Sequence, residues 1–138
     1  MTDRFNALLR ELGQILGVPL HTDRHNACAI KIKERLKVQI QIDPEQEKLL
    51  IVAKLSELPP GKFREEVLKK GLQENNLPDP RIGTFSYLSA AHALILYERH
   101  PVDLLNGEKL ASFLIPFIAL AEKWNDAILS GQLHRLLH

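Results

Sequence analysis

A second cysteine is missing from this chain. Cys28 stands alone among 138 residues, which excludes an intramolecular disulfide and suits a reducing compartment. A long hydrophobic run is missing too. The stretch from Leu110 to Ala121 is broken by Ser112 and Pro116 and falls short of the about 20 residues that a spanning helix needs. Met1-Thr2-Asp3-Arg4-Phe5 has no basic segment followed by an apolar one, so no Sec-type leader is expected. Neither sign of charge dominates. Eighteen Lys and Arg against seventeen Asp and Glu leave +1, too little for a long-range field toward nucleic acid or a membrane. The seven glycines are scattered, with no P-loop, no G-x-G-x-x-G and no G-x-S-x-G. The expectation is a single soluble, cytoplasmic domain, residues 1–138, that is not an enzyme, needs no cofactor and does not insert into a membrane.

What the chain does have is periodic apolar residues. Phe5, Leu8, Leu9, Leu12, Ile15 and Leu16 recur at helical spacing behind Thr2 or Asp3 as cap, and Gly17 and Pro19 end the helix. Alternation then takes over. Cys28, Ile30 and Ile32 point one way, and Ala29, Lys31 and Lys33 the other. After Glu34-Arg35, Leu36, Val38, Ile40 and Ile42 alternate with Lys37, Gln39, Gln41 and Asp43. This predicts a half-buried antiparallel hairpin. A turn at Asp43-Pro44-Glu45-Gln46 leads to a third strand, about Lys48 to Leu55.

Pro59 and Pro60 open a shorter helix marked by Phe63, Val67, Leu68 and Leu72, followed by a rigid Pro78-Asp79-Pro80 connector. Two strands follow, about Ile82–Leu88 and Ala91–Arg99. A final helix runs from about Gly107 to Leu129, with Asn106 as cap, Pro116 inside it and Gly131 as its stop; the tail beyond adds a turn or frays. The fold class is α+β, in the order α-β-β-β-α-β-β-α, with a largely antiparallel twisted sheet and helices on one face. The third and last strands are apolar on both faces. The surplus calls for another helix, a second subunit or a ligand peptide over the second face, and Ala93–Arg99 is read as a strand covered on both sides.

Polar clusters are few. His21-x3-His25-x2-Cys28 has ligand types that suit zinc, yet no helix holds the two histidines together and no second pair completes a site, so no metal is expected. His134 and His138 have helical spacing at the end of the chain, where a preorganised site is hard to build. Lys31, Lys33 and Lys37, with Arg35, form a basic strip, and Phe85, Tyr87 and Tyr97 offer stacking surfaces. This is the alternative reading, a small nucleic-acid-binding module; lysine on a strand's solvent face serves more commonly as edge protection.

The element order, with several local patterns, resembles the class I type III secretion chaperones of the CesT-like (Tir chaperone) family. The patterns are Leu8-Leu9-x2-Leu12-Gly13 leading to Gly17-Val18-Pro19-Leu20; Leu58-Pro59-Pro60; Leu72-x2-Asn75 before Gly83-Thr84-Phe85-Ser86-Tyr87; and Leu94 to Leu104 before Ala121-Glu122-Lys123-Trp124. The resemblance implies a homodimer without enzymatic activity. It would hold the N-terminal region of one or more secreted effectors extended and deliver it to the export apparatus. It further implies effector pockets between the first helix and first three strands, at Phe5, Leu9, Leu12, Leu16, Ile30, Ile32, Val38 and Ile40. The implied dimer seam involves Val67, Leu68, Leu72, Phe85 and Tyr87. Many members of that family are acidic, whereas this chain has a pI near 7.9.

Overall fold

The computed structural model describes residues 3–33, 35–45, 47–78 and 81–136. Thr2 as cap, Glu34, Gln46 of the second turn, Asp79-Pro80 of the connector and His138 lie outside the described residues. Helix α1 spans Asp3–Leu16, strands β1 Ala27–Ile32, β2 Leu36–Ile42 and β3 Lys48–Glu57, helix α2 Lys62–Asn75, strands β4 Thr84–Leu88 and β5 Ala93–Pro101, and helix α3 Gly107–Ser130. This is the expected α-β-β-β-α-β-β-α order, with boundaries shifted by up to three residues. Pro59 and Pro60 precede α2, which starts behind Gly61. Single 3-10 turns at Ser89–Ala91 and Val102–Leu104 complete the connections around β5.

All five strands form one antiparallel sheet in the order β1-β2-β3-β5-β4. Its register places residues of one parity on a single face. Ile30 lies opposite Val38, Val38 opposite Ala53, Ala53 opposite Leu96, and Leu96 opposite Phe85. The three helices cover this face. Trp124 of α3 meets Phe85 at 4.1 Å between ring centroids, and Phe113 stacks on His100 at 4.2 Å. Gly71 of α2 lies against Phe85 and Leu94. Phe5, Leu9 and Leu12 of α1 join the same core, each removing a large apolar side chain from water for roughly 1.5–3 kcal/mol.

Helix α3 is held at both ends. Asn106 Oδ1 accepts the Lys109 N–H at 2.8 Å, satisfying one of the first-turn donors. Gly131, at φ +70°, closes the C-terminus, and the Gln132 N–H reaches the Ala127 carbonyl at 3.0 Å. Pro116 sits inside the continuous helix. The tail docks rather than frays through the turn Leu133–Leu136, which buries Leu136. Asn125, the one buried polar side chain among the described residues, accepts both the Ser56 N–H and the Ser56 hydroxyl at 2.8 Å. It thereby ties α3 to the register shift between Lys54 and Glu57 of β3.

The reading of Ala93–Arg99 as covered on both sides is corrected. Strand β5 is interior to the sheet, but Ile95 and Tyr97 on its second face are only half-buried, as are Leu50 and Val52 beside them on β3. Three helices suffice for only one face of five strands, and all three go to the more apolar one.

Candidate client-binding surface

Two strand edges bound the sheet, and they differ. At β4, the side chain of Asn75, the last residue of α2, lies along the edge. Its Nδ2 donates to the Phe85 carbonyl and its Oδ1 accepts the Phe85 N–H, both at 2.8 Å. The amide thus occupies the place of a neighbouring strand, a device that blunts edge pairing. At β1, Asp23 closes only the first residue. Its N–H donates to the Ala27 carbonyl at 2.8 Å, and its carboxylate accepts the Ala27 N–H at 3.1 Å. The N–H and C=O of one strand residue point to the same side, so Ala29, two residues on, also directs its pair outward. Ala29 is exposed and, among the described residues, makes no backbone bond beyond the sheet.

Beside this edge lies a groove of about 660 Å³ between α1 and the loop that follows it, lined by Asn6, Leu9, Gly13, Gln14, Val18 and Leu20, among others. The loop folds back because the Gly13 carbonyl accepts from the N–H groups of Gly17 at 2.8 Å and Val18 at 3.1 Å. That approach requires glycine, since a Cβ at position 13 would meet the Val18 carbonyl oxygen at 2.7 Å. Val18 in its lining is exposed, 44% accessible.

The eight residues expected to form effector pockets divide into two layers. Phe5, Leu9, Leu12, Val38 and Ile40 are buried in the core. Leu16, Ile30 and Ile32 are half-buried and pack against it. The residues expected at a dimer seam divide likewise. Val67 and Phe85 are buried, Leu68 and Tyr87 half-buried, and Leu72 is exposed at 64%. Leu77, Ile82 and Leu88, around α2 and β4, are also exposed apolar residues. Residue periodicity pointed to neither Asn75 nor Ala29 as a functional position. Asn75 carries no apolar signal, and the value of Ala29 lies in its backbone.

A match between the family model of the Tir chaperone protein (CesT) family and residues 7–125 covers most of the chain. The chain belongs to the CesT family. Among solved structures, a chain of the HopA1–SchA chaperone–effector complex superposes with a TM-score of 0.72 at 18% identity, covering 90% of this chain and 94% of that one. A chain of the ExsC–ExsE complex gives 0.69 at 22%, covering 93% and 96%. A chain of the ExoT–SpcS complex from Pseudomonas aeruginosa gives 0.67 at 17%, covering 88% and 97%. At these identities the likeness establishes the fold. No curated protein matches the sequence.

The other sequence motifs of this CesT-family chain do not assemble into sites. His21 and His25 are exposed while Cys28 is buried, and no group of three metal-ligating side chains converges among the described residues. Burial pushes the Cys28 thiol up from its usual value, against the effect of a hydrogen bond with the His21 backbone, so it is held as the poorly reactive thiol. His134 is exposed. The basic strip is corrected at Lys33. That residue turns to positive φ in the hairpin and pairs with Glu122 of α3 at 3.3 Å, away from Lys31 and Lys37. The stacking surfaces are occupied as well. Phe85 lies under Trp124, the Arg64 guanidinium sits 5.9 Å from the Tyr87 ring centre, and that of Arg99 5.1 Å from Tyr97. Among the described residues no helix is long and apolar enough to cross a membrane.

Proposed function

We propose that this chain is a type III secretion chaperone of the bacterial cytoplasm, acting as a homodimer and without catalysis. It binds the N-terminal region of one or more effectors, keeps it extended and passes it to the export apparatus. The observation that carries this reading is the contrast between the two sheet edges. Asn75 occupies the β4 edge at Phe85, whereas the outward backbone of Ala29 on β1 has no partner beyond the sheet among the described residues, on the same strand as half-buried Ile30 and Ile32. An extended client adds to such an edge through main-chain hydrogen bonds and sets alternate side chains into apolar hollows. Leu16, Ile30 and Ile32 are the contact layer, and Phe5, Leu9, Leu12, Val38 and Ile40 the rigid floor beneath. The dimer seam is formed by exposed Leu72 of α2, with Val67, Leu68, Phe85 and Tyr87 behind it.

The test is co-expression of the tagged chain with its native proteome, followed by mass spectrometry of what co-purifies and light scattering of the purified protein. The reading expects a dimer that carries effector N-terminal regions and loses them on Ile30→Asp. A strict monomer that retains no secreted protein would overturn it.

A further inference from the structure

The second face of the sheet carries a pattern that a solvent-facing surface does not require. Lys31 lies directly opposite Lys37, and Lys37 directly opposite Lys54, so three lysines stand in one row across β1, β2 and β3. Like charges directly opposite one another destabilise a sheet. Among the described residues no carboxylate pairs with Lys37 or Lys54. The row continues into Ile95, and the adjoining row places Gln39, Val52 and Tyr97 side by side. Val52, Ile95 and Tyr97 are half-buried. Lys37, Lys54 and Val52, with Arg35 and Gln39, line a concavity of about 560 Å³, whose one carboxylate is Glu57.

We propose that this face is a second docking surface, one that takes an acidic, amphipathic segment of the polypeptide client. Carboxylates lie over Lys37 and Lys54, and apolar side chains lie on Val52 and Ile95. The inference rests on the chaperone reading for the identity of the client; the chemistry rests on the face itself. An anion between Lys37 and Lys54 relieves the repulsion of that directly opposed pair, which favours the bound state over the free one. Nucleic acid fits poorly, because the Arg99 guanidinium already lies over Tyr97 and the rest of the patch is aliphatic. A second copy centred on this row would set lysines against lysines.

The test titrates the full chain with a synthetic helix-forming peptide of about 16 residues, with Glu along one flank and Leu along the next. Binding is expected to weaken with salt, and by at least about tenfold in Lys37→Gln/Lys54→Gln, with an unchanged circular dichroism spectrum. Amide shifts should concentrate on β2, β3 and β5. The charge-reversed variant Lys37→Glu/Lys54→Glu should instead prefer the same peptide with Lys in place of Glu. The inference is overturned if the Gln variant binds like the parent or if both peptides bind the parent equally. It is equally overturned if an oligothymidylate binds more tightly than the peptide with the same lysine dependence. The titration needs no natural client, so failure to co-purify an effector bears on the chaperone reading alone.

Discussion

Asn75 and Phe85 are joined by two hydrogen bonds, the side-chain amide of one pairing with both backbone groups of the other at 2.8 Å. The helix thereby ends on the sheet edge it protects. Asn75→Ala leaves the Phe85 N–H and C=O without these partners in a part-buried position, at a cost of about 1–3 kcal/mol. Urea denaturation should show that loss, and light scattering should show higher oligomers as the edge opens. Unchanged stability would mean that the pair contributes nothing net.

Gly13 is a second point of close approach. Gly13→Ala sets a Cβ against the Val18 carbonyl oxygen and forces the loop off α1. We expect a lower melting temperature and reduced retention of co-expressed client, because the groove changes shape. Gly131→Ala, with open space around its Cβ but a positive φ, should lower the melting temperature and leave client retention intact.

Core and surface apolar residues separate by the same two readouts. Leu12 is fully buried, and Leu12→Ala should cost about 2–5 kcal/mol in chemical denaturation. Leu72 is largely exposed, so Leu72→Asp should leave the monomer's fold intact while shifting the dimer toward monomer in light scattering. A Leu72→Asp variant that remains fully dimeric places the seam elsewhere.

The loop before β1 should respond to acid. Asp23 accepts the His25 N–H at 2.7 Å and the Ala27 N–H at 3.1 Å, and these bonds, His25 first, hold its carboxyl below the usual Asp value of 3.8. A depressed folded pKa contributes order that is complete above the ordinary value and is lost as pH falls through the lower, folded one. The amide shifts of His25 and Ala27 should therefore move together below the ordinary carboxylate range. Asp23→Asn should abolish that step.

Several features of the fold are legible in the sequence alone. Helical spacing in α1, strict alternation in β1 and β2, the Asn106 cap and the Gly131 stop each rest on local chemistry that needs no partner. Lys33 was misplaced because the hairpin turn gives it a positive φ, which reverses its direction. Ala93–Arg99 was assigned a cover on both faces because apolar residues on a strand do not say which neighbours will reach them. Lys54 was absent from the basic strip because only the β2–β3 register brings it opposite Lys37.

By itself, then, the sequence determined the type and order of the elements and the inward parity of each strand, since these follow from periods of 3.6 and 2 within short segments. Only the tertiary structure decided which edge residues are capped by side chains, which apolar residues of α1 and the first strands are buried and which half-buried, and which face goes without a helix. Those outcomes depend on contacts between residues far apart in the chain: Asn75 with Phe85, Trp124 with Phe85, Lys37 with Lys54. No local pattern specifies such contacts until the sheet has paired and the helices have chosen its face.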